Sequence, residues 1–268
     1  MFDFKLGIIG AGNMGGAIAN RLLGAGEIVV GDIFISDSDE KKTAPFREKG
    51  VNIVSNTEAA KAADILIIAV KPDIFEFILP EIEPFINENK AVVSVAAGIS
   101  IAYMERFLGG GSKIVRTMPN TPELVGCGMT SLCPNKNAEG TVFERVRGIF
   151  ASVGKTVKIK EELMDAAVAA AGSSPAYVFM FIDGMARAAE TMGLPREDAL
   201  LMAAQSVYGA AVMVLETGEQ PDKLKTNVCS PGGTTIEGVK SLEDDKFIDI
   251  IARAMEKVAE KSVRMTRV

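Results

Sequence analysis

The chain has 268 residues, is 48% apolar and carries a formal charge of −6, which suits one large domain or two modest ones and disfavours nucleic acid or an anionic lipid surface as partner. It contains no histidine and no tryptophan, so an imidazole base and any histidine-ligated metal site are excluded. Cys127, Cys133 and Cys229 fit neither a zinc pattern nor a disulfide framework, so no metal and a reduced, cytoplasmic setting are expected.

Met1–Lys5 leads straight into a strand-like run without the basic head and long apolar stretch of a signal peptide. No apolar run approaches the roughly 18 residues of a membrane span, so no membrane partner is expected. Strands are expected at Lys5–Ile9, Ile33–Ser36, Asn52–Val54, Ile65–Val70, Ala91–Val95 and Lys113–Thr117. Helices over Met14–Leu23, Thr57–Ala63 and Ser100–Leu108 separate several of them. This alternation predicts an α/β fold with a mostly parallel, Rossmann-type sheet covered on both faces. Ile65–Val70, apolar without interruption, suits a strand buried on both sides. Pro45 makes the segment between the second and third strands an awkward helix, and its boundary stays open. Met129–Leu132 and Thr156–Ile159 are two further strands, flanking a helix near Val142–Ala151.

Near Glu161 the strand-like runs stop. Helices are expected over Pro175–Met192, Arg196–Glu216 and Lys246–Val263, in a stretch rich in Ala, Met and Leu. The sequence thus divides into a dinucleotide-binding domain, 1–160, and an all-helical domain, 161–268. The many alanines suggest helices packed closely across a subunit interface; the alternative is a self-contained bundle. Met180, Met185 and Met192 are read as core residues rather than a binding box.

Gly10-Ala11-Gly12-Asn13-Met14-Gly15 follows a strand and opens a helix. In a G-x-G-x-x-G placed this way, the first glycine permits a tight turn, the second lets backbone approach a pyrophosphate, and the third lets helix and strand pack closely. Free amides at the helix start then hold the phosphates. At the end of the second strand, Asp37 is placed to bond the ribose hydroxyls of NAD. Ser36, Ser38, Lys41 and Lys42 around it could instead hold the 2′-phosphate of NADP, and the residues alone leave the two cofactors equal.

Val70-Lys71-Pro72, Met118-Pro119-Asn120-Thr121-Pro122, Gly172-Ser173-Ser174-Pro175-Ala176-Tyr177 and Ser230-Pro231-Gly232-Gly233-Thr234-Thr235, the last followed by Ile236, Gly238 and Leu242, form a series that resembles the pyrroline-5-carboxylate reductase family over essentially the whole chain. The resemblance implies a Rossmann domain, a helical domain that interleaves with a second subunit in a homodimer or an assembly of dimers, NADPH as the commonly preferred cofactor with NADH possible, and reduction of 1-pyrroline-5-carboxylate to proline. It implies an active site between the two domains, the helical part coming from the neighbouring subunit. Cofactor contacts are implied at Gly10, Ala11, Gly12, Asn13, Met14, Ser36, Asn56, Ala69, Val70, Lys71, Pro72 and Ala97, and substrate contacts at Ser230, Gly232, Gly233, Thr234 and Thr235. The chain departs from the family pattern at Ser174, where glycine is usual, at Gln220, where histidine is frequent, and at Thr226, where aspartate is frequent.

The reaction needs a hydride source, a grip on the substrate carboxylate and a proton at the ring nitrogen, with donor and acceptor carbons about 3–3.5 Å apart. Amides of Gly233, Thr234 and Thr235 before a helix could hold the carboxylate without an arginine; the alternative is an ordinary turn with a Ser/Thr cap. The Thr235 hydroxyl is the candidate catalytic group, hydrogen-bonded to the ring nitrogen of an imine that arrives protonated. Asn120 could bond the nicotinamide amide or cap a turn. Lys71 is read as structure or cofactor contact, Cys229 as a small buried thiol, and Tyr177 as packing with a hydroxyl that needs a partner. A β-hydroxyacid dehydrogenase would place a catalytic lysine on its long central helix, and no lysine occurs between Glu161 and Lys223. A non-catalytic cofactor sensor would not need the second anion site, and the six-membered ring imine differs from the five-membered one by a single methylene, worth only about 1–3 kcal/mol in a hydrophobic pocket.

Overall fold

The computed structural model describes residues 1–266. It contains two compact units, one formed by Met1–Ser173 together with the chain from Val258 onward, the other by Ser174–Lys257. The change of unit falls thirteen residues beyond the boundary expected near 160, because the first helical turns after Glu161 stay with the sheet. Arg116, 4% exposed, donates to Glu161 Oε1 at 2.9 Å, and the Ile101 amide donates to the same oxygen at 2.8 Å. Ser262 donates to Asp165 at 2.5 Å, which returns the end of the chain to this unit.

The first unit is a single eight-stranded sheet in the order β3-β2-β1-β4-β5-β6-β7-β8. The strands are β1 (Leu6–Ile9), β2 (Ile33–Ser36), β3 (Asn52–Ile53), β4 (Ile65–Ile68), β5 (Ala91–Ser94), β6 (Lys113–Met118), β7 (Gly128–Pro134) and β8 (Gly154–Lys158). All neighbours are parallel except β6 and β7. Side chains on β4 alternate between two cores: Ile65 and Ile67 pack with Ile8, Ile18, Ile35 and Phe150, while Leu66 and Ile68 pack with Ile9, Phe75, Leu79 and Ile114. A strand with a core on each face must be apolar throughout, which accounts for the uninterrupted run seen in the sequence.

The helices of this unit are α1 (Asn13–Gly24), α2 (Glu40–Glu48), α3 (Asn56–Ala62), α4 (Phe75–Ile82), α5 (Ile101–Leu108), α6 (Thr141–Ala151) and the short α7 (Met164–Ala167). The segment left open at Pro45 is helix α2, with Asp39 as N-cap accepting from the Lys41 amide. Helix α4, also with an internal proline at Pro80, has no counterpart in the sequence reading. Its burial of Phe75, Ile78, Leu79 and Ile82 shows packing outweighing the cost of a proline in a helix. Helix α7 is continued by a π-helical turn, Val168–Gly172.

The second unit contains α8 (Ser174–Thr191), α9 (Arg196–Thr217), α10 (Pro221–Val228), α11 (Thr234–Asp244) and most of α12 (Phe247–Met265). Its buried core is Ala186, Ala199 and Ala203, with Ile182 and Ala189 packed on it. Few side chains are buried within this unit by itself. Met180 is 75% exposed and Met192 84%, and Met185 is exposed as well; none of the three is a core residue, because α8 and α9 meet through alanines and leave their larger apolar side chains outward. For the same reason Glu161–Thr191 and Arg196–Thr217 are long and apolar enough to cross a membrane by length and composition. A count of unbroken apolar runs misses them because Asp183 and Arg187 interrupt the first and Gln205, Ser206 and Gly209 interrupt the second.

Candidate active site

Strand order reverses beside β1: the chain moves outward through β2 and β3, then returns to place β4 on the other side. Connections diverge at such a point and leave a crevice at the carboxyl ends of the strands. Gly10 sits there with φ +101°, its amide donating to Ser36 O at 2.7 Å. A Cβ on Gly10 would lie 2.4 Å from Ala69 O, and one on Gly15 would lie 2.0 Å from Gly10 O. Neither position accepts a side chain. Gly12, the N-cap of α1, has no atom within 4 Å of where its Cβ would be, so its backbone is open to a ligand. The first amides of α1, at Asn13 and Met14, have no intrahelical partner.

The parallel register brings the other cofactor-side residues to the same edge. Ile9 is opposite Ser36 on one side and Ile68 on the other, and Ile68 is opposite Ser94. Asp37, Ala69 to Pro72 and Ala97 therefore follow adjacent strand ends. The Ser36 hydroxyl donates to Asn56 Oδ1 at 2.7 Å, and Asn56 Nδ2 donates to Glu81 at 2.8 Å. Lys71 is exposed and precedes a 3-10 turn that begins at Pro72. Asp37 is turned inward: its Oδ2 accepts from the Ala11 amide at 2.8 Å and its Oδ1 from the Asp39 amide at 2.9 Å. Both oxygens thus have protein partners before any ribose approaches. Beside the glycine loop, α1 and α2 enclose a cleft of about 550 Å³ that includes Gly12, Asn13, Asn20, Lys41 and Lys42.

Asn120 is a structural residue. Its Oδ1 accepts from the Met129 amide at 2.9 Å and its Nδ2 donates to Ala171 O at 3.0 Å, which ties the Met-Pro-Asn-Thr-Pro turn to β7 and to the π-helical turn. The nearby Glu123 was not anticipated. It is 1% exposed; Oε1 accepts from the Thr130 hydroxyl, while Oε2 has no partner among the described residues. Burial pushes its carboxyl up to about 7, against a smaller opposing effect of the Thr130 hydrogen bond.

In the second unit, Ser230–Gly233 forms a turn in which Gly232 has φ +71° and the Gly233 amide donates to Ser230 O at 3.0 Å. Gly233 is the N-cap of α11, without a side-chain cap. Two expectations change here. The Ser/Thr-capped turn does not form, and the Gly233 amide is committed to the turn itself, so the amides left for an anion are those of Thr234 and Thr235 at the helix start. Both threonines and Ser230 are exposed. Of the family departures, Thr226 donates to Asp222 O at 2.9 Å inside α10, Gln220 is the N-cap of α10 without a side-chain bond, and Ser174 opens α8. Cys229 is half-buried rather than buried. The Tyr177 hydroxyl is buried with no hydrogen-bond partner among the described residues.

Two family models match parts of the chain. Residues 161–265 match the family model described as pyrroline-5-carboxylate reductase dimerisation, and residues 5–98 match the model described as NADP oxidoreductase, coenzyme F420-dependent. A pyrroline-5-carboxylate reductase of Escherichia coli is 45% identical over 265 residues, covering 98% of each chain. One from Arabidopsis thaliana is 37% identical, covering 99% of this chain and 96% of its own. Among solved structures, the pyrroline-5-carboxylate reductase of Coxiella burnetii superposes with a TM-score of 0.95 at 31% identity over the whole of both chains. The Plasmodium falciparum pyrroline carboxylate reductase, solved with NADP bound, gives 0.89 at 38% identity, also over the whole of both.

Proposed function

The chain belongs to the pyrroline-5-carboxylate reductase family, and from that premise we propose that it reduces 1-pyrroline-5-carboxylate to proline with NADPH. The carrying observation is the match over 98% of both chains at 45% identity, in a chain that retains both an open glycine loop at the strand-order reversal and free amides at the start of α11. Gly12, with nothing over its α-carbon within 4 Å, fits a pyrophosphate drawn close to backbone.

When bound, NADPH supplies the hydride. The amides of Gly12, Asn13 and Met14 would hold its pyrophosphate, with Ala11 behind them fixed by Asp37; Ser36 and Asn56 would serve the adenosine half, and Ala69, Val70, Lys71, Pro72 and Ala97 the nicotinamide half. The substrate carboxylate lies against the Thr234 and Thr235 amides, with Ser230, Gly232 and Gly233 shaping the turn. The hydride adds to the imine carbon, the C=N π pair becomes the nitrogen lone pair, and a nitrogen that was protonated on arrival leaves as the amine of proline. The Thr235 hydroxyl orients that nitrogen and stabilises it, a modest hydrogen-bonding role that needs no acidic side chain.

The acting form is a soluble, cytoplasmic homodimer or an assembly of dimers, supported by the few side chains that the helical unit buries by itself. The substrate turn of one subunit serves the cofactor domain of the other. The test is the absorbance of NADPH at its nicotinamide band on addition of 1-pyrroline-5-carboxylate. Proline formation matched to cofactor oxidation is expected; no oxidation with either NADPH or NADH rejects the reading. Mixing subunits that carry Gly15→Val with subunits that carry Thr235→Ala is expected to restore part of the activity, because one mixed site per dimer is then intact.

A further inference from the structure

Two consecutive lysines border the cleft beside the glycine loop, and their surroundings make them unequal. Lys42 Nζ lies 3.7 Å from Asp37 Oδ1 and 3.9 Å from Asp39 Oδ2. The Asp37 side chain is only 9% exposed and holds the Ala11 amide. Lys42 therefore balances the carboxylate that orients the glycine loop. Lys41 lines the same cleft and has no ion-pair partner among the described residues. Its backbone is fixed by the bond from its amide to Asp39 Oδ1 at 3.0 Å.

An acidic residue at the end of β2 favours NAD when its carboxylate faces the ribose, because it accepts from the hydroxyls and repels a 2′-phosphate. Asp37 has the position without the orientation: its oxygens bind backbone amides and its charge is offset by Lys42. The repulsive element is thereby removed, and an uncommitted ammonium stands beside the loop in a chain whose net charge is negative. We propose that Lys41 is the residue that selects the 2′-phosphate of the cofactor, while Asp37 and Lys42 position the glycine loop and do not read the phosphate. The inference rests on the dinucleotide reading above and adds to it the residue that separates NADPH from NADH.

The test uses nucleotide fragments and needs no turnover. Purified full-length, cofactor-free protein is titrated calorimetrically with 2′,5′-ADP and, separately, with 5′-AMP at low salt. The parent protein is expected to prefer 2′,5′-ADP. Lys41→Ala is expected to weaken 2′,5′-ADP about tenfold, the scale of one charge-assisted hydrogen bond to phosphate, and to leave 5′-AMP unchanged. Lys41→Arg is expected to keep the preference. Lys42→Ala is expected to weaken both nucleotides alike, since it loosens the loop they share. Equal weakening of both nucleotides by Lys41→Ala, no weakening by it, or loss of selectivity through Lys42→Ala alone would each overturn the assignment. A parent protein that binds neither fragment would reject the cofactor reading itself, and this inference with it.

Discussion

Glu123 gives the protein a pH dependence that can be isolated by one substitution. Its carboxyl is 1% exposed, one oxygen has no partner among the described residues, and burial raises its pKa from 4.5 to about 7. Below 4.5 the group is protonated in both folded and unfolded chains, and its contribution to folding is at its most favourable. Between 4.5 and 7 the unfolded chain releases the proton while the folded chain keeps it, so stability falls as pH rises. Above 7 the folded chain carries a buried anion and the full penalty remains. At about 1.4 kcal/mol per pH unit, the penalty reaches about 3 kcal/mol. Glu123→Gln keeps the shape and an oxygen for the Thr130 hydroxyl and removes the ionisation. Urea unfolding of parent and variant, at one fixed subunit concentration because assembly adds to stability, is measured from pH 4 to pH 9. Relative to their difference at pH 4, the variant is expected to gain about 3 kcal/mol on the parent by pH 8, the gain accumulating between 4.5 and 7. Parallel stability curves across that interval would show that Glu123 does not hold its proton in the folded state.

Thr235→Ala is expected to lower kcat by about 10–100-fold without abolishing turnover, the scale of one lost transition-state hydrogen bond; steady-state rates check this, and an unchanged rate removes the hydroxyl from the mechanism. Gly15→Val must displace the Gly10 carbonyl, since even the first carbon of the new side chain would lie 2.0 Å from it, so loss of NADPH binding is expected in a fluorescence titration. Leu201→Glu puts a charge at an α9 position that is 67% exposed in the single chain. If that face lies in the dimer, burying an unpaired carboxylate there is costly, and light scattering is expected to show a shift toward monomer; an unchanged mass at low concentration places the interface elsewhere.

What could be read from the sequence depended on how far apart the interacting residues lie in the chain. The run at Ile65–Ile68 is legible because both faces of β4 are covered, a condition written in consecutive residues. The glycine loop is legible for the same reason: the tight turn at Gly10 and the close contact of Gly15 with Gly10 O involve neighbours. Helix α4 is not legible locally: Pro80 argues against a helix, and the burial that outweighs it comes from side chains of other elements, such as Leu66, Ile68, Val92 and Met104. Asp37 shows the same limit at the site itself. Its spacing from the glycines is that of a ribose ligand, but its carboxylate is drawn inward by an amide 26 positions away, and no local pattern reports that rotation. Glu123 follows two residues after Thr121 in a proline turn that would ordinarily be solvated, and it is buried only because Gly128 leaves room for it: a Cβ there would lie 2.0 Å from the Glu123 Cγ. The helical unit extends the argument beyond one chain. Met180 and Met192 have the composition of core residues and the exposure of surface ones, and both facts hold together if the missing neighbours of α8 and α9 belong to a second subunit. Sequence reports the need to bury such side chains; which chain buries them is decided only in the assembly.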